Sequence, residues 1–383
     1  MPKSSVIING GIMKVLCLGL KVGAGLESIC NAVKEACKAN NIEVEYADIY
    51  AENEKMAKAS SENYYKLVKK IPHIVAFGQK LSMGIALRSK GYFFCKSYVK
   101  TSKVELLKLL EKYKPDFIYT PLVWAGNALD ELIEEGKTSV KYIYQLSDFC
   151  VPYYAQNLRK CEYIISPCQY VSDIMIKHGF PKEKLLNYGI PINSKFFLPF
   201  NREEVLKNMN TKDGKFILVT NGGAGFANNL KIVKYFHDKI GDYSLIVVNG
   251  RNAESKQQID DYIKQNNIKN VINLGFATNM HELIKLSDIV IGKTGSSSIL
   301  ETSACGVKFI ALDNFLVPEY FNIKYLKTLN AVKIVSTTKQ MEKALNFYIQ
   351  NSQEAQKMQQ NFKNICKPDC LNNIIKTIAS YEK

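Results

Sequence analysis

The stretch "SDIVIGKTGSSSILETSACG" (residues 287–306) decides how this chain is read. Its apolar run Ile289–Ile291 predicts a buried strand. Gly295 and the serines Ser296, Ser297 and Ser298 follow as a small, hydroxyl-rich turn. An apolar run with helical spacing comes next and carries a single acid, Glu301. A helix start offers free N–H groups and a partial positive charge, so a strand that ends in such a turn is a ready anion site. Glu301 is flanked by Ile299, Leu300 and Ala304, which fits poorly with a solvated surface charge. The stretch therefore raises two questions: which anion binds, and what the acid holds.

The rest of the chain supplies the frame. At 383 residues it is too long for one typical core, which predicts two domains of about 190 residues. Apolar residues at 46% and charged residues at 23% are those of a folded globular protein. No run of about 18 apolar residues predicts a membrane-spanning helix. The opening "MPKSSVIINGGIMKVL" has too short an apolar core for a secretory signal. Residues 1–12 read either as an extension upstream of Met13 or as an ordered first strand. Ten cysteines without CxxC pairs point to reduced, mostly buried thiols and a cytoplasmic address. "CKPDC" (366–370) is the only close pair, and with no histidine nearby no metal site is expected.

Strand-like and helix-like runs alternate throughout, which predicts parallel sheets with helices on both faces. In the first half, strands are expected at 13–20, 42–49, 116–120, 140–146 and 162–166. Helices are expected near 26–40, across 55–113 and around 127–136. "NYGIPINSKFFLPF" (187–200) reads as a crossover between domains. The second half repeats the plan, with strands at 215–221, 243–250, 271–276, 289–291 and 308–312, and a helix-rich tail from about 337. The expected division is an N-terminal domain over 1–190, a C-terminal domain over 191–355, and a helical piece over 356–383 whose return to the first domain is left open. Ligands of such open sheets bind outside the carboxyl ends of the strands.

Three glycine-rich turns follow strands: "GLKVGAG" (19–25), "NGGAG" (221–225) and "GKTGSSS" (292–298). None is a GxGxxG or a P-loop, and each alone is ordinary tight-turn chemistry. Two of them in one half favour a phosphate site there, with a pyrophosphate between Gly222–Gly223 and Gly295–Ser298. Glu301, one turn inside its helix, suits a carboxylate that accepts bonds from vicinal ribose hydroxyls.

The charge is +15 and uneven: between Lys55 and Lys114 fourteen Lys/Arg stand against three acids, interleaved with aromatic and aliphatic residues. This is either a solvated helical face or a surface that lies on anionic lipid. No nucleic-acid motif accompanies the charge, so nucleic acid is not an expected partner.

The second half resembles the family of UDP-sugar glycosyltransferases that includes MurG, monogalactosyldiacylglycerol synthase and the processive diacylglycerol glucosyltransferases. The elements that carry the resemblance are "YGIPI…F" (188–196), "NGGAG", "VVNGRN" (247–252), "LGFATNMHELIKLSDIVIGKTGSSSILET" (274–302) and "PEYFN" (318–322). They occur in the family's order and cover most of 140–335. The resemblance implies a GT-B fold, two Rossmann-like domains facing across a cleft, with the nucleotide on the C-terminal domain. It implies that Gly295, Ser296 and Ser297 face the phosphates and that Glu301 holds the ribose. Phe276 and Met280 match positions bordering the uracil, and Glu319 and Asn322 a segment contacting the donor sugar. Gly23, Gly25, Gly222, Gly223 and Arg251 complete the expected substrate-binding set. The family usually has Gln where this chain has Pro318, which leaves the sugar open.

One departure is larger. Leu26 stands where the family's first turn carries a histidine, and a leucine cannot take a proton. Asp148 in "QLSDF" is the expected substitute base, with Glu27 and His73 behind it. His178, His237 and His281 read as helix-end or helix-surface residues. No Asp-x-Asp triplet occurs, so the expectation is a metal-independent, inverting transfer from a UDP-sugar without a cofactor. Helix starts would then balance the charge of the leaving diphosphate. The expected acceptor is a hydroxyl, with a lipid or other hydrophobic molecule as one candidate, and the expected address is cytoplasmic, with the inner face of the cell membrane as one candidate place. The rival readings are an epimerase or hydrolase on the same fold, and a non-catalytic sugar-nucleotide-binding protein.

Overall fold

The computed structural model describes residues 13–20, 24–58, 71, 74–75, 77–78, 96–152, 155–221, 229–313 and 317–381. The chain divides into two compact units. The first comprises Met1–Asn193, Leu316–Pro318 and Lys367–Lys383, and the second Ser194–Phe315 and Glu319–Cys366.

The first unit is built on six strands: β1 (Lys14–Gly19), β2 (Glu43–Asp48), β3 (Phe117–Thr120), β4 (Lys141–Gln145), β5 (Tyr163–Ile165) and β6 (Leu185–Leu186). They form one sheet in the order β2-β1-β3-β4-β5-β6, and every pairing is parallel. Val15–Gly19 and Phe117–Thr120 are buried throughout, as expected of strands covered on both faces. Strand order reverses between β1 and β3, the place where open sheets bind ligands. The helix expected around 127–136 starts earlier, at Val123, because Thr120 closes the turn with its hydroxyl, accepting from Leu122 N at 3.2 Å and donating to Leu18 O at 2.9 Å. The last helix, Cys370–Ala379, packs on the helix Ala24–Ala39 of this unit.

The second unit repeats the architecture with β7 (Lys215–Thr220), β8 (Tyr243–Val248), β9 (Val271–Leu274), β10 (Ile289–Lys293), β11 (Lys308–Leu312) and β12 (Lys333–Val335). The sheet order is β12-β11-β10-β7-β8-β9, all parallel. The chain lays down β7, β8 and β9 in one direction and returns to place β10, β11 and β12 on the other side of β7. The switch point therefore lies between β7 and β10. Ile217, Val219, Ile289, Ile291 and Ile310 share one buried cluster with Ile232, Phe236, Leu345 and Met358. Gly292 is required by close packing, since a Cβ there would stand 3.0 Å from the Thr220 carbonyl oxygen. The short edge strands β6 and β12 were not foreseen, as two or three residues carry no readable alternation.

Among the described residues no helix is long and apolar enough to cross a membrane. Nine described cysteines are free, and all but Cys305 are buried.

Candidate active site

The second unit's carboxyl edge carries most of the expected residues. After β10, Gly295 is the N-cap of the helix Ser296–Cys305 and gives it no side-chain cap. The first-turn N–H groups of Ser296, Ser297 and Ser298 therefore remain for a ligand. The helix stops at Gly306, which takes the left-handed conformation at φ 69° and donates to Ser303 O at 2.9 Å. Ile299, Leu300, Thr302 and Ser303 are buried around Glu301. The Glu301 carboxyl has no hydrogen-bond or ion-pair partner among the described residues, and burial pushes its pKa up to about 8. A desolvated carboxylate left unpaired beside a sheet's switch point is a candidate ligand-binding group.

The "GRN" turn after β8 is explained residue by residue. Gly250 has φ 60°, which a residue without Cβ adopts at no steric cost. Asn252 caps the helix Ala253–Gln265, accepting from Ser255 N at 3.0 Å. Arg251 between them is exposed and sets its guanidinium 4.9 Å from the ring centroid of Phe276, a residue 53% exposed on the loop after β9. Met280, half-buried, opens the helix Met280–Leu286 just beyond. Beneath this platform runs a chain of asparagines that sequence reasoning missed. Asn221 at the end of β7 donates to Asn229, and Asn229 donates to Asn249 Oδ1 at 3.0 Å. Asn249 then donates to Asn273 Oδ1 at 2.7 Å and to Leu274 O at 2.9 Å. Buried amides linked in this way fix the ends of β7, β8 and β9 relative to one another.

The "PEYFN" segment meets the opening stretch. Lys293, the last residue of β10, places Nζ 3.2 Å from Glu319 Oε1. Asn322 is fully buried and donates to Thr294 O at 2.9 Å. Its amide holds the turn that precedes Gly295. Lys293 was given no role from the sequence. The loops after β10 and β9 are three strand spacings apart, about 14 Å, so the turn at Gly295 and the Arg251–Phe276 pair occupy different stations along one edge.

In the first unit, Asp148 is half-buried just beyond β4 and accepts from Ser147 Oγ at 3.3 Å. Gly25, Leu26 and Glu27 lie in the first turn of the helix Ala24–Ala39. Gly19 admits the Tyr46 ring, as a Cβ there would stand 2.8 Å from its Cε2. The Tyr46 hydroxyl and Trp124 Nε1 are buried without a hydrogen-bond partner among the described residues. His178 ends the helix Gln169–Lys177, and His237 and His281 are half-buried in the second unit. Gly23, Gly222, Gly223, His73, residues 1–12 and most of the basic segment (59–70, 72–73, 76, 79–95) lie outside the described residues. No group of three metal-ligating side chains occurs among the described residues.

Two six-stranded parallel sheets with flanking helices define a two-domain α/β protein of the GT-B class. Comparison with known families gives its kind. The glycosyltransferase family 28 C-terminal domain matches residues 216–373, and the monogalactosyldiacylglycerol (MGDG) synthase domain matches residues 27–192. A processive diacylglycerol beta-glucosyltransferase of Bacillus cereus (strain AH820) is 24% identical over 286 residues, covering 74% of this chain and 72% of the relative. Among solved structures, Acinetobacter baumannii MurG has TM-score 0.62 at 14% identity, covering 96% of this chain and 100% of that one. Neisseria meningitidis UDP-GlcNAc 2-epimerase bound to UDP-GlcNAc has TM-score 0.58 at 16% identity, with coverage of 96% and 100%. The fold alone thus accommodates both activities, and the two family matches decide between them. The chain carries the glycosyltransferase family 28 C-terminal domain and the MGDG synthase domain, and it is a UDP-sugar glycosyltransferase.

Proposed function

We propose that the protein transfers a sugar from a UDP-sugar to a lipid hydroxyl, with inversion at the anomeric carbon. The observation that carries the donor assignment is Glu301, a desolvated carboxylate with no hydrogen-bond or ion-pair partner among the described residues, on a helix without a side-chain N-cap at the switch point. Ribose hydroxyls would donate to that carboxylate, and the N–H groups after Gly295 to the diphosphate. Phe276, carrying Arg251 on its face, would border the uracil. The acceptor oxygen attacks C1, its proton passes to Asp148, and the C1–O bond to the diphosphate breaks with its electron pair leaving on UDP. The Bacillus relative is a diacylglycerol beta-glucosyltransferase, which supports a lipid acceptor.

The described part of the basic segment supports an anionic membrane surface on the cytoplasmic side. The helix Lys96–Tyr113 exposes Tyr98, Val104 and Leu107 beside Lys96 and Lys100, and Ile74 and Phe77 are 67% and 70% exposed. A side chain set of this kind, apolar with basic neighbours, suits the interface of a bilayer.

The test is turnover of UDP-glucose and other UDP-sugars with diacylglycerol in mixed micelles, followed by mass spectrometry. Formation of a glycosyl lipid together with UDP is expected. UDP release without acceptor would indicate a hydrolase, and nucleotide binding without any turnover a binding protein.

A further inference from the structure

We infer that Lys293 is a donor-site residue, its ammonium engaging the diphosphate of the sugar nucleotide and shielding it from Glu319. This rests on the donor-site reading above. Two features of the structure place the ammonium. First, Nζ lies 3.2 Å from Glu319 Oε1, with the lysine side chain 35% and the glutamate 14% exposed. Second, a Cβ added at Gly295 would stand 3.5 Å from Lys293 Cε and 3.6 Å from its Nζ. The ammonium therefore sits against the N-cap of the ten-residue helix Ser296–Cys305, whose N-cap offers no side-chain bond.

The surroundings are built to hold this arrangement. Thr294 Oγ1 donates to Glu319 O at 3.4 Å, and Asn322 Nδ2 donates to Thr294 O at 2.9 Å. Both bonds tie the start of the helix Glu319–Thr328 to the residue between Lys293 and Gly295. An ammonium has three donors, and Glu319 engages one of them. Among the described residues no acceptor takes the others, which leaves them for phosphate oxygens presented to the same helix start. Without the lysine, Glu319 would set an uncompensated negative charge beside a bound dianion, and like charges repel strongly at low exposure. With it, Glu319 becomes a neutralised neighbour whose second oxygen is available to the donor sugar. As the C1–O bond breaks and its electron pair leaves on UDP, the ammonium balances charge that grows on the diphosphate.

The experiment is calorimetric titration of UDP and of uridine into wild type, Lys293→Met, Lys293→Arg, Lys293→Met with Glu319→Gln, and Glu301→Ala. Lys293→Met should weaken UDP by about 10- to 100-fold, the range of one charge-assisted bond, and leave uridine unchanged. Lys293→Arg should keep the preference for UDP, and the double variant should recover part of the loss. Unchanged UDP affinity in Lys293→Met, or equal losses for UDP and uridine, would overturn the inference. If Glu301→Ala leaves both ligands unaffected, the donor-site reading itself fails. A Glu301 effect without a selective Lys293 effect removes this inference alone.

Discussion

The two units share an architecture and differ in where their polarity is spent. Each has six parallel strands and a reversal of strand order beside its first strand. At the second unit's reversal the polar groups are backbone N–H donors, a half-buried carboxylate with no hydrogen-bond or ion-pair partner among the described residues, and a lysine–glutamate pair. At the first unit's reversal, the helix start carries Leu26 in place of an acid–base residue, and Tyr46 and Trp124 bury polar atoms without partners among the described residues. Its carboxylate, Asp148, lies one strand further along, past β4. The contrast teaches a division of labour. Under the proposed function, one sheet edge would bind the anionic nucleotide, whereas the other would supply Asp148 as a proton acceptor.

The sharpest way to break this contrast is to remove the first unit's carboxylate. Asp148→Asn should lower the transfer rate by about 10²–10⁴-fold, the contribution of a general base, with UDP affinity unchanged by calorimetry. If UDP affinity falls as well, the two edges do not divide the work as described.

Next in size is the pH response of the second unit. Burial raises the Glu301 pKa to about 8, and ribose hydroxyls bind the ionised form. UDP affinity should be greatest above pH 8 and fall by up to about tenfold per unit below it. Between the ordinary carboxylate pKa of about 4.3 and 8 the free folded protein holds a proton that the unfolded chain has lost. Its stability therefore declines as pH rises through that window. Glu301→Gln should flatten both profiles, and a variant that keeps the wild-type slope in UDP titrations would assign the proton elsewhere.

Smaller effects sharpen the picture. Phe276→Ala should cost about 1 kcal/mol of UDP affinity, the low end for base–aromatic stacking, because the ring is 53% exposed. Lys96→Glu and Lys100→Glu, which have no ion-pair partner among the described residues, should each weaken binding to phosphatidylserine vesicles by at most about 1 kcal/mol, with loss in high salt. Equal co-sedimentation with neutral vesicles would argue for an acceptor taken from solution.

Much of the second unit was legible because its chemistry is local. Gly295, the three serines and Glu301 fall within one helix start, and "GRN" encodes a left-handed turn, an exposed arginine and a cap in successive residues. What escaped the sequence depends on tertiary pairing. The Lys293–Glu319 contact joins residues 26 apart. The asparagine chain joins four strand and helix ends, and no periodicity marks its members. Asn322 was read toward the donor sugar, and the bond from its Nδ2 to the Thr294 carbonyl carried no sequence signal. The edge strands β6 and β12 are too short to show alternation. In the first unit, Leu26 stands where the resembled family carries its histidine, and Asp148 is read as the base from its place at a strand end and its match to a family Thr-Asp position.

The central claim is that the second unit holds the nucleotide through Glu301. Calorimetric titration of UDP into wild type and Glu301→Ala tests it directly, with matched melting curves to show that both are folded. The account predicts a loss of about 1–3 kcal/mol in the variant, because ribose hydroxyls are left unpaired. Equal affinity in the two proteins would contradict it.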